Sequence, residues 1–363
     1  MVRLIERIWR GEAGFLGRLL ELPLAVAELG YRAGLRWDQR RKLARRETLP
    51  RPVISVGNLT VGGSGKTPLV QWISQWAERE GLVPCVLSRG YGVTIQSPAR
   101  VTEGPGDWRF FGDEPTLLAQ GLRSGCVYVG RDRAQAGRLA LEREPRIDFF
   151  ILDDGFQHLA LARDLDLVLV DAAIGLGNGR LLPRGPLREP PAALDRADAI
   201  GLARRAGLSV SSLGPHLPTP DFEIDLEPTA WRPLADEDWL PLETLPRDRP
   251  ARLLSGIASP SGFEATARAV GLRVHSHSIF RDHHAFTREE AEAERRLARE
   301  QGLRLVTTAK DGVRLAEFTT GWTAEEVPIM IELGLKDGVG LEYLKETLKL
   351  TWSRADIAPV SRG

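Results

Sequence analysis

Short apolar runs alternate with amphipathic stretches along most of the chain, and this alternation predicts an α/β protein with a parallel sheet core. In the first half, strand-like runs lie at 53–56, 83–88, 126–130, 147–152, 166–171 and 199–202. In the second half, further strand-like runs lie at 222–231, 252–257, 273–278, 303–307 and 327–331. Thr287 is placed to cap the charged helix predicted at 288–302.

The N-terminal segment has a pattern of its own, with apolar residues at helical spacing within 4–9 and 15–20. Residues 1–51 hold twelve basic and six acidic side chains, a balance of +6 in a chain of zero formal net charge. A basic helix with a Trp- and Leu-rich face is typical of a membrane interface. A helical pair packed on the main domain with a solvated basic face accounts for the pattern equally well. The apolar part is interrupted by charged residues, which excludes a secretory signal.

Composition narrows the possible functions. Because the net charge is zero, we expect no general nucleic-acid binding. Cys85 and Cys126 lie in strand-like runs without a CxxC or zinc spacing, which predicts buried thiols in a reducing compartment. No apolar run reaches membrane-spanning length.

The Ser-, Gly- and Pro-rich stretch at 207–220 suggests a domain boundary. We therefore expect helices at 1–46, a core at 47–206 and a smaller α/β lobe at 207–363.

A glycine-rich stretch, SVGNLTVGGSGKTPLV (55–70), stands between a predicted strand and a predicted helix. This strand–loop–helix context is what a phosphate-binding loop requires, because backbone N–H groups and the helix N-terminus converge on phosphate oxygens. The pattern expects Gly where the chain has Thr60; a glycine turn before an amphipathic helix is the plain alternative. The candidate nucleotide-binding residues are Thr60, Val61, Gly62, Gly63, Ser64, Gly65, Lys66 and Thr67.

Acidic and basic residues follow several other predicted strands, where open α/β sheets bind ligands. Asp153 and Asp154 end the run at 147–152 and are candidate Mg²⁺ ligands, although adjacent acids are also common in plain turns. The long loop at 175–190 carries Arg180, Arg184, Arg188 and Glu189. Its arginines suit an anionic, phosphorylated substrate, although a solvated loop is the plain alternative.

Six unusual motifs are spread from the glycine-rich stretch into the second half. They are GNLTVGGSGKTP (57–68), SRGYG (88–92), GDEP (112–115), DDGFQH (153–158), LLPRGPLREP (181–190) and DHHAF (282–286). Together and in this order they resemble the tetraacyldisaccharide 4'-kinase family of lipid A biosynthesis. Thr60 also resembles that family, whose glycine-rich loop has its own variant of the usual pattern at this position.

The resemblance implies a fold and a reaction. The expected fold is a P-loop NTPase-like core with a smaller α/β C-terminal lobe and basic amphipathic N-terminal helices. The expected reaction transfers the ATP γ-phosphate, with Mg²⁺, to the 4'-hydroxyl of an acylated glucosamine disaccharide 1-phosphate lipid. The expected place is the cytoplasmic face of the bacterial inner membrane, held peripherally on its anionic surface, with no obligate protein partner.

The resemblance also implies roles for individual residues. Asp113 is the expected base, acting with His283, although the adjacent His284 is an alternative partner, and Lys66 is the third expected catalytic residue. Metal ligands are expected among Thr67, Glu114, Asp153 and Asp154, with either aspartate able to make the direct contact. Tyr91 is placed near the nucleotide. The residues expected to bind the lipid are Arg131, His158, Arg188 and Glu189.

Two other functions compete with this one. A P-loop GTPase or metallochaperone would need a guanine-reading N-K-x-D, but in TTAKDG (307–312) the Asp follows the Lys directly. An ATP-gated scaffold at a membrane surface would explain the glycine-rich stretch and the basic helices, but it leaves GDEP and DHHAF without a role.

Overall fold

The computed structural model describes residues 2–9, 12, 14–90, 92–93, 95–102, 104, 106–205, 217–236, 238–336 and 339–355. The strands are β1 (Val53–Gly57), β2 (Pro84–Ser88), β3 (Ala99–Arg100), β4 (Cys126–Val129), β5 (Phe149–Asp153), β6 (Leu165–Asp171), β7 (Ala199–Arg205), β8 (Phe222–Pro233), β9 (Leu240–Pro241), β10 (Ala251–Ser255), β11 (Val274–Ile279), β12 (Arg304–Thr308) and β13 (Ile329–Leu335). The α-helices are α1 (Val2–Trp9), α2 (Gly14–Ala44), α3 (Lys66–Arg79), α4 (Trp108–Phe111), α5 (Asp113–Gln120), α6 (Arg133–Arg143), α7 (Pro260–Ala269), α8 (Arg288–Glu300), α9 (Ala309–Leu315) and α10 (Val339–Arg354).

The strands form one mixed sheet in the order β11-β10-β12-β13-β8-β7-β6-β1-β5-β2-β4-β3, with β9 beside β8. Most neighbouring pairs are parallel; β3 with β4, β8 with β13 and β8 with β9 are antiparallel. The α/β class is therefore confirmed, and each strand predicted above has its counterpart. β7 pairs directly with β8, so the sheet continues past the expected boundary at 207–220. The division into domains stays a prediction.

The central helix α3 packs its apolar face on the sheet. Leu69, Val70 and Ile73 are fully buried there because they recur on one side of the helix. Trp76 of α3 stacks on Trp352 of α10, with ring centroids 5.0 Å apart. The two helices thus share one hydrophobic core, and this packing holds the N-terminus of α3 at the carboxyl end of β1.

The parallel strands of the first half place their carboxyl ends along one edge of the sheet, where the connecting loops meet. β1 and β5 end there in the glycine-rich loop and in the paired aspartates, Asp153 and Asp154. In the second half, β11 and β12 lead into the 282–284 turn and α9. These strands run opposite to those of the first half, because β13 pairs antiparallel with β8. Their carboxyl ends therefore face the first-half loops, and α9 packs on α5. Thr287 caps α8 in a full capping box with Glu290, as predicted.

Helix α2 has two different faces. Its polar face holds the 175–190 loop: Tyr31 donates to the Arg188 carbonyl at 2.9 Å, and Glu21 and Glu28 pair with Arg184. On the outward face lies an apolar stripe of exposed residues spaced three or four apart, Phe15, Leu19, Leu22, Val26 and Leu29. Both interpretations of the segment therefore have a structural basis. No helix within the described ranges is long and apolar enough to cross a membrane.

Candidate active site

The glycine-rich loop turns sharply between β1 and α3. Gly62 and Gly65 have φ of 110° and 85°, a left-handed backbone that favours glycine. The Asn58 amide group donates to the Thr60 carbonyl at 2.8 Å and holds the loop from inside. These contacts leave Lys66 and Thr67 in the first turn of α3, where the helix dipole is positive.

Thr60, the departure from the usual loop pattern, joins two loops. It forms a β-bridge with Leu187, while the Val61 amide donates to the Pro186 carbonyl at 2.9 Å. On the other side, Arg205 donates to the Gly63 carbonyl at 2.6 Å. The glycine-rich loop is thus held by the 175–190 loop and by the end of β7.

Asp154 lies between two cations at the end of β5. Its carboxylate is 3.4 Å from Lys66 Nζ and 2.8 Å from Arg188 Nη1. Burial acts to raise the pKa of Asp154, but Lys66 and then Arg188 outweigh it and lower the pKa to about 2. Asp154 is therefore ionised, and its charge is neutralised within the protein.

The pKa of Asp153 is shifted in the opposite direction to that of Asp154. Burial, followed by the nearby charges of Glu114 and Asp154, raises the pKa of Asp153 to about 7. The Ser88 hydroxyl donates to this carboxylate at 3.1 Å. Asp153 therefore carries a charge that the surrounding cations do not fully compensate.

Asp113 and His283 come together from distant parts of the chain. Nδ1 of His283 lies 3.0 Å from Oδ2 of Asp113, across 170 positions of sequence. Burial opposes ionisation of Asp113, but the His283 hydrogen bond prevails and lowers the pKa of Asp113; the same bond raises the pKa of His283. His284 instead lies 2.9 Å from Glu290 and stacks on Phe280, so His283 is the partner of Asp113.

Two cations at this pair were missed by sequence reasoning. Lys310 Nζ lies 3.0 Å from Glu114 Oε1, and the fully buried Arg314 places Nε 3.6 Å from Asp113 Oδ2. Both belong to α9, in the TTAKDG region considered above for guanine recognition. Asp311 of that segment is buried and accepts a hydrogen bond from the Gly256 amide at 2.9 Å, so its carboxylate is not exposed to a guanine ring. The sequence signal for α9 was the Thr-x-x-Asp spacing of Thr308 and Asp311, which is typical of a helix start and here follows a predicted strand.

The expected substrate residues differ in exposure, and their roles stay predictions. Glu189 is 1% exposed and is held by Arg196 at 2.6 Å and by Gln39 at 2.5 Å, so it has no open surface for a lipid. Arg131 points to solvent, whereas Arg133 is buried; burial and then Arg89 lower the pKa of Arg133 to about 10. Tyr91 lies outside the described residues.

The remaining expected residues line the same edge of the sheet. Burial, and then Arg133, lower the pKa of His158 to about 3, so its imidazole is neutral. Arg188 retains partial exposure beside Asp154. In the described part of the chain, no group of three or more His, Cys, Asp or Glu residues is arranged to hold a metal ion by itself.

The raised pKa of Asp153 predicts a pH-dependent cost to folding. Between about pH 4 and 7 the folded protein binds more protons at Asp153 than the unfolded chain, so stability falls as pH rises through this window. Asp153→Asn still accepts from Ser88 but does not ionise. Its unfolding free energy should therefore increase relative to that of the unmodified protein between pH 5 and 8, as measured by denaturant unfolding without magnesium.

Asp154→Asn is the matched control. Asp154 is ionised throughout pH 5–8 because its pKa is about 2, so this change should lower stability by the same amount at both ends of the range. If the stability difference caused by Asp153→Asn were also constant with pH, the electrostatic description of Asp153 would be wrong.

Comparison with known proteins identifies the family. The LpxK family, described as tetraacyldisaccharide-1-P 4'-kinase, matches residues 19–348. A tetraacyldisaccharide 4'-kinase from Syntrophobacter fumaroxidans is 40% identical over 328 residues, covering 86% of this chain and 85% of that protein. Another from Chromobacterium violaceum is 39% identical over 320 residues, covering 87% and 88%.

A solved structure agrees with the sequence comparison. The crystal structure of LpxK from Aquifex aeolicus in complex with ATP superposes with a TM-score of 0.71 at 30% identity, covering 93% of this chain and 99% of that chain. Since the family match and the relatives both span most of the sequence, this chain belongs to the tetraacyldisaccharide-1-P 4'-kinase family, as its six motifs predicted.

Proposed function

We propose that the chain transfers the γ-phosphate of ATP to the 4'-hydroxyl of a tetraacylated glucosamine disaccharide 1-phosphate in lipid A biosynthesis. The observation that carries this proposal is the Asp113–His283 contact at the same sheet edge as the glycine-rich loop. A hydroxyl acceptor needs a nearby proton acceptor, and the donor nucleotide needs a cradle for its phosphates. Both are present in this one chain.

ATP is the expected donor. The glycine-rich loop offers backbone N–H groups and the N-terminus of α3 to the phosphates, with Lys66 reaching the β- and γ-phosphates. Lys66 is paired with Asp154 at 3.4 Å, which orients the ammonium group before a nucleotide arrives. The ATP bound to the Aquifex aeolicus relative supports this assignment.

Mg²⁺ suits the carboxylates beside this loop. Asp153, Glu114 and the Thr67 hydroxyl would hold it, since all three supply oxygen and Asp153 carries an incompletely compensated charge. Mg²⁺ usually takes one or two carboxylates plus substrate phosphates and water, which agrees with a partial set of protein ligands. When bound, the ion would neutralise charge on the β- and γ-phosphates.

The Asp113 carboxylate would receive the proton of the 4'-hydroxyl. The hydroxyl oxygen forms a bond to the γ-phosphorus, the bond from that phosphorus to the bridging oxygen breaks, and ADP leaves. His283 donates to Asp113 and orients its carboxylate, and the buried guanidinium of Arg314 lies on the same oxygen. Because this transition state is loose, positioning and charge neutralisation supply most of the catalysis.

The acceptor's own phosphate requires cations at the site. Arg188, partly exposed beside Asp154, is the best candidate, with the neutral imidazole of His158 on the same edge. Glu189 would act indirectly, because its contacts with Arg196 and Gln39 tie the 175–190 loop to the core and to α2.

The lipid acceptor also requires access to a bilayer. The apolar stripe of α2 suits insertion among lipid headgroups, and the +6 balance of residues 1–51 suits an anionic surface. These two features support peripheral attachment to the cytoplasmic face of the inner membrane, with the opposite face of α2 on the 175–190 loop.

The proposed Asp113–His283 unit predicts non-additive losses. Asp113→Asn and His283→Ala should each lower kcat by about 10²–10⁴-fold, the usual contribution of a general base, with little change in KM for ATP. The double variant should be scarcely slower than the slower single variant, because groups that act as a unit lose activity together. Steady-state assays of the four proteins with the lipid acceptor complete the cycle.

His284→Ala is the matched control, since it removes the neighbouring imidazole, which contacts Glu290 rather than Asp113. Fully multiplicative losses in the double variant would mean that the two residues act independently. A fully active Asp113→Asn enzyme would remove the base from the mechanism.

The apolar stripe predicts how the protein binds membranes. Leu22→Glu with Val26→Glu places two charges on the stripe and should reduce co-sedimentation with vesicles that contain anionic phospholipid. Added salt should also weaken binding, because each basic residue near such a surface contributes about 1 kcal/mol. Leu350→Glu makes the same type of substitution at an exposed residue of α10, away from the stripe, and this variant should bind vesicles as the unmodified protein does. Equal binding by all three proteins would refute attachment through α2.

A further inference from the structure

One lysine at the site has contacts that the mechanism above does not use. Lys310 Nζ lies 3.0 Å from Glu114 Oε1 and 3.3 Å from Nε2 of His283. Asp282 Oδ1 is 4.0 Å away. The ammonium group therefore stands between the carboxylate assigned to Mg²⁺ and the imidazole that pairs with Asp113.

We propose that Lys310 is a positioning residue that selects the tautomer of His283 required by Asp113. This inference rests on the proposed phosphoryl transfer. An ammonium group has three donors and no acceptor, so Nε2 of His283 accepts from it. A neutral imidazole then carries its single proton on Nδ1, which donates to Asp113 at 3.0 Å.

The alternative tautomer would be poorly accommodated. A proton on Nε2 would face the ammonium of Lys310 at 3.3 Å, so two donors would oppose each other. The lone pair of Nδ1 would then face the Asp113 carboxylate, where two acceptors repel each other. Among the residues that the structure describes, Asp113 on α5, Lys310 on α9 and Asp282 on its own turn are charged groups near His283, and Arg314 of α9 pairs with Asp113.

Lys310 is held firmly enough to perform this task. It is the second residue of α9, which Thr308 caps by accepting from the Asp311 amide at 3.0 Å. Asp311 is itself anchored by the Gly256 amide at 2.9 Å and by Arg314. At the other end of the lysine side chain, the ion pair with Glu114 fixes the ammonium group. The same residue therefore ties α5 to α9.

The test uses the full-length protein with ¹⁵N-labelled histidine, at one pH where His283 is neutral. The ring signals of His283 are assigned by their loss in His283→Gln. In the unmodified protein we expect a protonated Nδ1 and an unprotonated Nε2. Lys310→Met should replace this pattern with a mixture or with the opposite tautomer. Lys310→Arg should restore it, because a guanidinium group also only donates.

Kinetics supply a second readout. Lys310→Met should lower kcat at least about tenfold, a part of the general-base contribution, while KM for ATP changes little. Lys310→Arg should recover much of this loss. Lys336→Met, which breaks an exposed pair with Glu227 away from the site, is the matched control and should keep normal activity.

An unchanged His283 ring pattern in Lys310→Met would overturn the proposal, even if kcat fell. If Lys310→Met does not fold, Lys310→Gln decides the question by the same ring signals, since its neutral amide is a weaker donor. The proposed function fails separately, if the unmodified protein does not phosphorylate the lipid. In that case the ring signals would still show whether Lys310 sets the tautomer.

Discussion

Two carboxylates at the site, Asp154 and Asp113, are each paired with two cations, and this pairing organises the site. Asp154 is compensated by Lys66 and Arg188, and Asp113 by His283 and Arg314. Arg314 and Asp113 are both buried, and removing one partner of such a pair typically costs about 3–5 kcal/mol, because the remaining charge is left without a partner. The cations come from α3, from the 175–190 loop and from α9. The site is therefore complete only when both halves of the sheet are in place.

The N-terminal helix extends this organisation outward. The polar face of α2 holds the loop that carries Arg184 and Arg188, and its apolar stripe lies on the opposite side. One rigid element thus spans the distance from a surface suited to lipid headgroups to the glycine-rich loop, through the bridge at Thr60. If the stripe lies in a bilayer, the opposite face of α2 holds the 175–190 loop, with Arg188, next to it.

Local patterns in the sequence predicted most of the fold and part of the site. Strands, the Thr287 cap and the turn after β5 depend on residues close together in the chain, so periodicity and spacing indicate them. The contact of Lys310 with Glu114 spans 196 positions and follows from sheet order, which periodicity does not specify. Glu189 was expected to bind substrate because of its motif, but Arg196, seven residues later, covers it once the loop folds back. Arg131 precedes the Asp132 cap of α6 and is exposed, whereas Arg133 is the first residue of the helix and is buried.

The identity of the phosphorylated atom tests the central claim most directly. Purified protein, ATP, Mg²⁺ and tetraacylated glucosamine disaccharide 1-phosphate in mixed micelles should yield a product with a new phosphate monoester. Proton–phosphorus correlation by NMR should place that phosphate on the 4' position. Lys66→Ala should slow its formation by about 10²–10³-fold, since one lost charge-assisted contact in the transition state costs about 3–4 kcal/mol. ATP hydrolysis without a phosphorylated lipid, or an equal rate with Lys66→Ala, would contradict the account.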